Sequence, residues 1–157
     1  MFGLIYSQRQ LEIYRFLERA GPCPQPALEV LFGDKTHRAL QKLRKAGYVY
    51  NTASGAVEFW IIQNYSHFNP QQQEVLAWFA ARLEEQNGQY LGNKSCLTPN
   101  GTRLTLEAKR NYIYAADEHN RKWAASLNEL KDKTLSNCLK LYNSTFVVEI
   151  TEQPLDI

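Results

Sequence analysis

The chain has 157 residues, a formal net charge of +2 and a hydrophobic fraction of 44%, as expected of a globular protein of one domain or two small ones. No apolar run approaches the roughly 20 residues that a membrane-spanning helix needs, and the N-terminus lacks the pattern of a secretory signal. We therefore expect a cytoplasmic protein with no membrane partner.

The basic residues are concentrated in the first part of the chain. Residues 1–62 carry 8 Lys or Arg and 5 Asp or Glu, whereas the remainder carries 10 and 11. A basic excess in one segment points to a polyanionic partner.

The first third of the sequence predicts three helices. Residues 7–20 repeat apolar side chains at intervals of three and four, as one face of a helix does. After a Pro-rich linker at 21–26, residues 27–32 predict a second, short helix. Asp34 is placed to cap a third helix, which ends at Gly47, the residue type that leaves a helix through a left-handed conformation.

A β-hairpin is predicted to follow the helices. Residues 48–50 and 57–62 are rich in β-favouring side chains, and the turn-forming segment 51–55 separates them. Three helices followed by a hairpin are the element order of a winged helix-turn-helix module. We assign residues 1–66 to this domain.

The remainder, residues 67–157, predicts a second, small α/β domain. Its order is α-β-β-β-α-β, so the predicted fold class is α+β. The predicted elements are a helix at 70–87, strands at 89–91, 102–108 and 112–116, a helix from about Asn120 that carries Trp123, Leu127 and Leu130, a shorter helix at 135–142, and a strand at 146–150.

The third predicted helix has an apolar face and a cationic face. At about 100° of rotation per residue, four cations fall within a narrow arc opposite the apolar side: Lys35, Arg38, Lys42 and Lys45. In the second position of a helix-turn-helix, such a helix can enter the major groove of DNA. We therefore predict double-stranded DNA as the partner. The predicted contacts are Lys35, Thr36, His37, Arg38, Gln41, Lys42, Arg44 and Lys45 on the helix, and Asn51, Thr52 and Ser54 on the wing.

The segment KTHRALQKLRKAGYV, residues 35–49, resembles the recognition helix and first wing strand of many bacterial winged-helix proteins. In those proteins a helix ending in Leu-x-x-x-Gly precedes an aromatic or aliphatic strand. A winged helix followed by a short α/β domain is also similar to the replication-relaxation proteins and related small proteins of plasmids and conjugative elements. This second resemblance implies a DNA-handling role on mobile elements, as a replication or transfer accessory or a transcriptional regulator.

The predicted order of the second domain is similar to the core of restriction-endonuclease-like folds. Their active site is a Pro-Asp followed downstream by Asp or Glu, any residue, and Lys; this chain has Pro99-Asn100 and then Glu107-Ala-Lys109. Two carboxylates are needed to hold Mg²⁺, and Asn100 removes one of them. The resemblance therefore implies a degenerate, non-catalytic domain. Glu107 and Lys109 are the candidates for the alternative, a Mg²⁺-dependent nuclease.

No other motif indicates catalysis or a cofactor. The sequence has no Gly-rich phosphate loop and no Ser-centred elbow, and its histidines and cysteines share no metal-ligand spacing. Cys23, Cys96 and Cys138 lie far apart without a C-x-x-C pair, so we expect reduced core residues. We expect neither a cofactor nor a bound metal.

Two alternatives concern other partners. The winged helix and second domain can instead serve protein contacts, as a homodimer or on a replication or transfer protein. In the second half, Tyr112 and Tyr114 alternate with Ile113, which makes one strand face aromatic. We expect that face to pack against a helix; a stacking platform for single-stranded nucleic acid is the alternative.

Overall fold

The computed structural model describes residues 7–62, 67–143 and 146–150, with the backbone alone for 143 and 146–150. These residues form a mixed α+β structure with a three-stranded sheet and a seven-stranded antiparallel sheet. The predicted fold class is confirmed at this level. In the described ranges, no helix combines the length and the apolar character needed to cross a membrane.

Residues 7–62 contain the three predicted helices and the predicted hairpin. An additional strand lies in the segment predicted as a linker at 21–26, and it pairs with the second hairpin strand. The elements are α1 (Gln8–Ala20), β1 (Cys23–Pro24), α2 (Gln25–Phe32), α3 (Thr36–Lys45), β2 (Val49–Ser54) and β3 (Val57–Ile62). β1 has only two residues, too few for a recognisable pattern, so its pairing with β3 is what makes it a strand.

Local chemistry fixes the two ends of α3. Gly47 follows the helix with a φ of 88°, the left-handed conformation expected of it. The start differs from the prediction, because Asp34 does not cap the helix. The N-cap position belongs to Lys35, which makes no side-chain cap. Instead, the Thr36 hydroxyl donates a hydrogen bond of 2.6 Å to the carbonyl oxygen of Gly33.

The hairpin is longer than predicted. Its strands pair along their whole length, as far as Ser54 opposite Val57, and the turn consists of Gly55 and Ala56. Gly55 has a φ of 62°, which a side chain would disfavour. Most of the segment 51–55, predicted as a turn, is therefore strand, because hydrogen bonding to β3 extends β2 almost to its tip.

The rest of the described chain begins with a long helix and continues as an antiparallel meander. Its elements are α4 (Pro70–Glu85), β4 (Gln89–Gly92), β5 (Ser95–Leu97), β6 (Arg103–Lys109), β7 (Tyr112–Ala116), β8 (Lys122–Ser126), α5 (Leu127–Asp132), α6 (Leu135–Cys138), β9 (Lys140–Asn143) and β10 (Phe146–Ile150). The strand order in the sheet is the sequence order. Five strands, instead of the predicted three, lie between α4 and the next helix, and two helices and two strands follow them. The predicted order α-β-β-β-α-β is therefore wrong.

The largest error concerns the helix predicted from about Asn120. Trp123 and Leu127 lie four residues apart, which is a helical spacing. In the structure, however, Trp123, Ala125 and Leu127 are buried and the residues between them are half-buried, which is the period of a strand. Pairing with β7 holds this segment as β8, so the helix begins only at Leu127.

Helix α4 lies at the centre of the core. Its residues from Val75 to Leu83 are all buried, as in a helix that is surrounded on every side. It contacts α2 and β1 as well as β4, β6, β7 and α5. One cluster of buried apolar residues accordingly includes side chains from both halves of the chain.

Candidate nucleic-acid interface

Helix α3 buries one side and leaves the other open. Its buried side consists of Thr36, Ala39, Leu40 and Leu43, and the helix packs on α1 and α2. The helix and its N-cap residue carry five cations, all of them exposed: Lys35, Arg38, Lys42, Arg44 and Lys45. The helical rotation places Arg38 and Lys45 at the centre of the open side.

One edge of this cationic face borders α1. A surface depression of about 310 Å³ there is lined by Lys35, Arg38 and Lys42 from α3 and by Arg9 from α1. Arg9 is exposed and adds a fourth cation to this edge. Arg9 is not among the contacts predicted from the sequence, because the pattern of α1 indicates only that this residue points outwards. The packing of α1 on α3 is what brings it to the site.

The other edge of the face borders a groove between α3, the hairpin and α4. The groove has a volume of about 970 Å³, and His37, Gln41 and Asn51 line it. His37 Nδ1 lies 3.1 Å from Gln25 Oε1, which also accepts a hydrogen bond of 3.2 Å from the Trp60 indole. These contacts orient the imidazole. The groove presents polar side chains beside the cations, and the carboxylates of Glu58 and Glu74 also line it.

Three predicted contacts lie elsewhere. Thr36 is fully buried, with 0% of its surface exposed, so we exclude it from the interface. Thr52 and Ser54 lie on the opposite face of the hairpin from Asn51, because side chains alternate along a strand. They line a separate depression together with Phe68. The wing contacts predicted as one set are thus divided between two faces.

The cations of α3 have no acidic partners in the described part of the chain. Eight ion pairs are present there, and none includes a cation of α3. The partnered cations include Arg19, Arg82 and Arg121, all of which lie outside α3. An exposed cluster of uncompensated positive charge attracts a polyanion.

The candidate nuclease residues do not form a site of the expected kind. Glu107 and Lys109 lie on β6, 63% and 65% exposed, and pair with each other at 3.4 Å. Asn100 lies before β6 and accepts hydrogen bonds from the hydroxyls of Thr98 and Thr102. Among the described residues, no group of three His, Cys, Asp or Glu side chains is arranged to hold a metal ion. The element order that suggested an endonuclease-like fold is not observed either.

The turn between β7 and β8 holds the acidic segment 117–119. Asp117, whose side chain is 1% exposed, accepts hydrogen bonds from the backbone N–H groups of His119 and Arg121 and one of 2.8 Å from the Arg121 guanidinium. Burial by itself would raise the pKa of Asp117, but the hydrogen bonds and charge of Arg121 outweigh burial and lower it. Glu118 and His119 are 86% and 71% exposed. Glu118 and His119 are therefore solvated, whereas the buried Asp117 carboxylate holds the turn together.

The three cysteines are free and buried, as predicted. Burial raises the pKa of Cys96 to about 12 and that of Cys138 to about 11, and it also raises the pKa of Cys23. The thiolate is the reactive form of cysteine, so these residues have the character of structural side chains.

Comparison with known proteins found no matching family model, no matching curated protein and no matching solved structure. The function is therefore inferred from the geometry and charge of the site.

Proposed function

We propose that residues 7–62 form a winged helix that binds double-stranded DNA, with α3 in the major groove. The order of three helices and a hairpin, with β1 completing a three-stranded sheet, supports this fold. Helix α3 follows α2 after three residues that include Gly33, the kind of turn that joins the helices of a helix-turn-helix. The second helix of that motif is the one that reads DNA.

The observation that carries the proposal is the exposed cationic face of α3, whose five cations lack ion-pair partners among the described residues. An α-helix with its side chains is about 10–12 Å across and the major groove is about 12 Å wide, so α3 can lie in the groove with its open side toward the bases. Neutralising phosphates supplies most of the affinity of such an interface.

The two edges of the face suggest different roles. Arg9, Lys35 and Lys42 lie together along the α1 edge, where they are placed to contact one phosphate backbone. Arg38 at the centre and Gln41 at the groove edge are the candidates for contacts with base edges, because Arg pairs with guanine and Gln with adenine in the major groove.

The test is a binding measurement on the full chain. Fluorescence anisotropy with a labelled 20-base-pair duplex at about 50 mM salt should detect binding, and R38Q/K42Q should weaken it at least about tenfold. The matched control is K94Q/K133Q, which changes the net charge equally but replaces exposed lysines outside this face. Absence of binding by the wild-type chain, or an equal loss in both double variants, would refute the proposal.

A further inference from the structure

Within the described residues, helices pack against one face of the seven-stranded sheet and none packs against the other, which we call the open face. Along β6, Leu104, Leu106 and Ala108 are buried on the side of α4, and the residues between them are exposed. Tyr112 on β7 is 46% exposed on the open face, and Tyr114 is half-buried there. Contrary to expectation, none of the helices in the described ranges covers these tyrosines, because α4 and α5 contact the sheet from its other face.

The tyrosines of the open face lie beside one another. The rings of Tyr112 and Tyr114 are stacked, with centroids 6.3 Å apart and planes at 24°. The ring of Tyr142, from β9, lies 5.2 Å from that of Tyr114 at an angle of 51°. Three aromatic rings from two strands thus form a continuous patch.

Small side chains leave space next to this patch. Ala124 on β8 lies opposite Tyr114, and Ala116 on β7 lies opposite Lys122 in the strand register. A shallow cavity of about 280 Å³ opens beside Ala116, with Tyr114 and Tyr142 on its walls. The rings therefore border an open space, which a flat ligand can enter alongside them.

Cations surround the patch. Lys109 and Lys122 line the same cavity, and Arg103 is exposed on the same face of β6. Within the described ranges, neither Lys122 nor Arg103 has a carboxylate within 4 Å. The acidic side chain at this site is Glu107, which pairs with Lys109. The face combines aromatic rings with a net positive charge.

We propose that this open face binds single-stranded nucleic acid, with the tyrosines stacking on unpaired bases and the surrounding cations contacting phosphates. Stacking on aromatic side chains along a positively charged surface is how proteins bind single strands without reading their sequence. A duplex does not offer this contact, because its bases are stacked on one another. The surface is thus distinct from the α3 face, in position and in the form of nucleic acid that it fits.

The test measures binding of the full chain to labelled dT20 and, in parallel, to rU20. The wild-type chain should bind at least one of them, and the pair of results separates DNA from RNA as the ligand. Y112A/Y114A should weaken that binding at least about fivefold, the lower end of the effect measured for removing one stacked base contact. Y112F/Y114F, which keeps both rings, should stay within about twofold of wild type.

Two further readouts distinguish this proposal from duplex binding at α3. Y112A/Y114A should leave the affinity for the 20-base-pair duplex unchanged. K122Q should reduce the slope of log K against log salt by about 0.7 for binding to dT20 or rU20, because one phosphate contact is lost. If alanine and phenylalanine variants bind the single strands equally, or if neither single strand is bound, the proposal is overturned whatever the duplex result.

Photocrosslinking keeps the proposal testable if Y112A/Y114A does not fold. An iodouracil-substituted single strand is crosslinked to the wild-type chain, and the modified peptides are identified by mass spectrometry. Adducts at Tyr112, Tyr114 or Tyr142 support the proposal. Adducts confined to residues 35–45 contradict it and place single-strand binding on α3.

Discussion

The guanidinium Nη2 of Arg19 lies 3.0 Å from both carboxylate oxygens of Glu84, and this contact joins α1 to the end of α4 across 65 residues of sequence. The same two side chains also hold β4: Arg19 Nε donates to the carbonyl oxygen of Tyr90, and Glu84 accepts from its backbone N–H. The first and second halves of the chain are thus joined by polar contacts as well as by a shared core.

Replacing Glu84 with Gln should lower the free energy of unfolding by about 1 kcal/mol. The charge attraction to Arg19 is lost, but an amide oxygen remains to accept from Tyr90, and solvent screens the pair in part because the Arg19 side chain is 34% exposed. Urea denaturation measures the change, with the exposed Glu12→Gln as control. An unfolding free energy equal to that of the control would show that this contact adds nothing.

Gln73→Leu should have a larger effect. The Gln73 amide donates hydrogen bonds of 2.7 and 2.8 Å to the buried carbonyl oxygens of Ala20 and Pro22, and leucine leaves both without this donor. We expect a loss of about 1–3 kcal/mol, the penalty for burying unsatisfied polar groups. Gln72→Leu, on the exposed side of the same turn, should change the stability by less than about 0.5 kcal/mol. Thermal and urea unfolding measure the stability of both variants. Equal stability of Gln73→Leu and Gln72→Leu would contradict the prediction.

Arg9 should contribute to duplex binding although it lies outside the helix-turn-helix. Its position beside Lys35 and Lys42 predicts one phosphate contact, so Arg9→Gln should reduce the slope of log K against log salt by about 0.9. Arg15→Gln is the matched control, since Arg15 is exposed on α1 but lies about 120° away from Arg9 around the helix axis. Equal slopes for Arg9→Gln and the wild-type chain would remove Arg9 from the interface.

The stability contribution of Asp117 should depend on pH. Because the folded-state pKa of Asp117 is lowered, its stabilising effect is present above the unfolded-state pKa of about 3.9 and disappears as the pH falls through the folded-state value. Asp117→Asn should therefore destabilise the protein by about 1 kcal/mol at pH 7, and the difference from wild type should shrink below about pH 4. Urea denaturation of the wild-type and Asp117→Asn proteins at pH 7 and below about pH 4 measures this difference. Glu118→Gln, at an exposed neighbouring position, should show no such dependence.

The three thiols should be inert in the folded protein. At pH 8 a thiol whose pKa burial has raised to about 11 or 12 is almost entirely protonated, and the side chain is also shielded from reagents. We expect no reaction of the native chain with a disulfide reagent such as DTNB within minutes, and reaction of all three cysteines after unfolding in guanidinium chloride. Rapid modification of one thiol in the native chain would contradict the buried position of that cysteine.

The sequence determined the first three helices and the cationic face of α3, because helical hydrogen bonds join residues four apart and the rotation per residue is fixed. Apolar spacing and a following glycine therefore located α1, α2 and α3, and the same rotation separated Arg38 and Lys45 from the buried side of α3. Clear alternation or turn signals likewise located the hairpin, β6 and β7.

The tertiary structure decided the features that depend on distant partners. Hydrogen bonds from neighbouring strands are what make strands of β1, β5 and β8. In β8 this pairing overrides an apolar spacing typical of a helix. Arg9 reaches the α3 face only through the packing of α1 on α3, and Tyr142 joins Tyr114 only through the sheet register. Helices are specified locally, whereas sheets and the faces of a folded protein are specified by contacts between segments far apart in the chain.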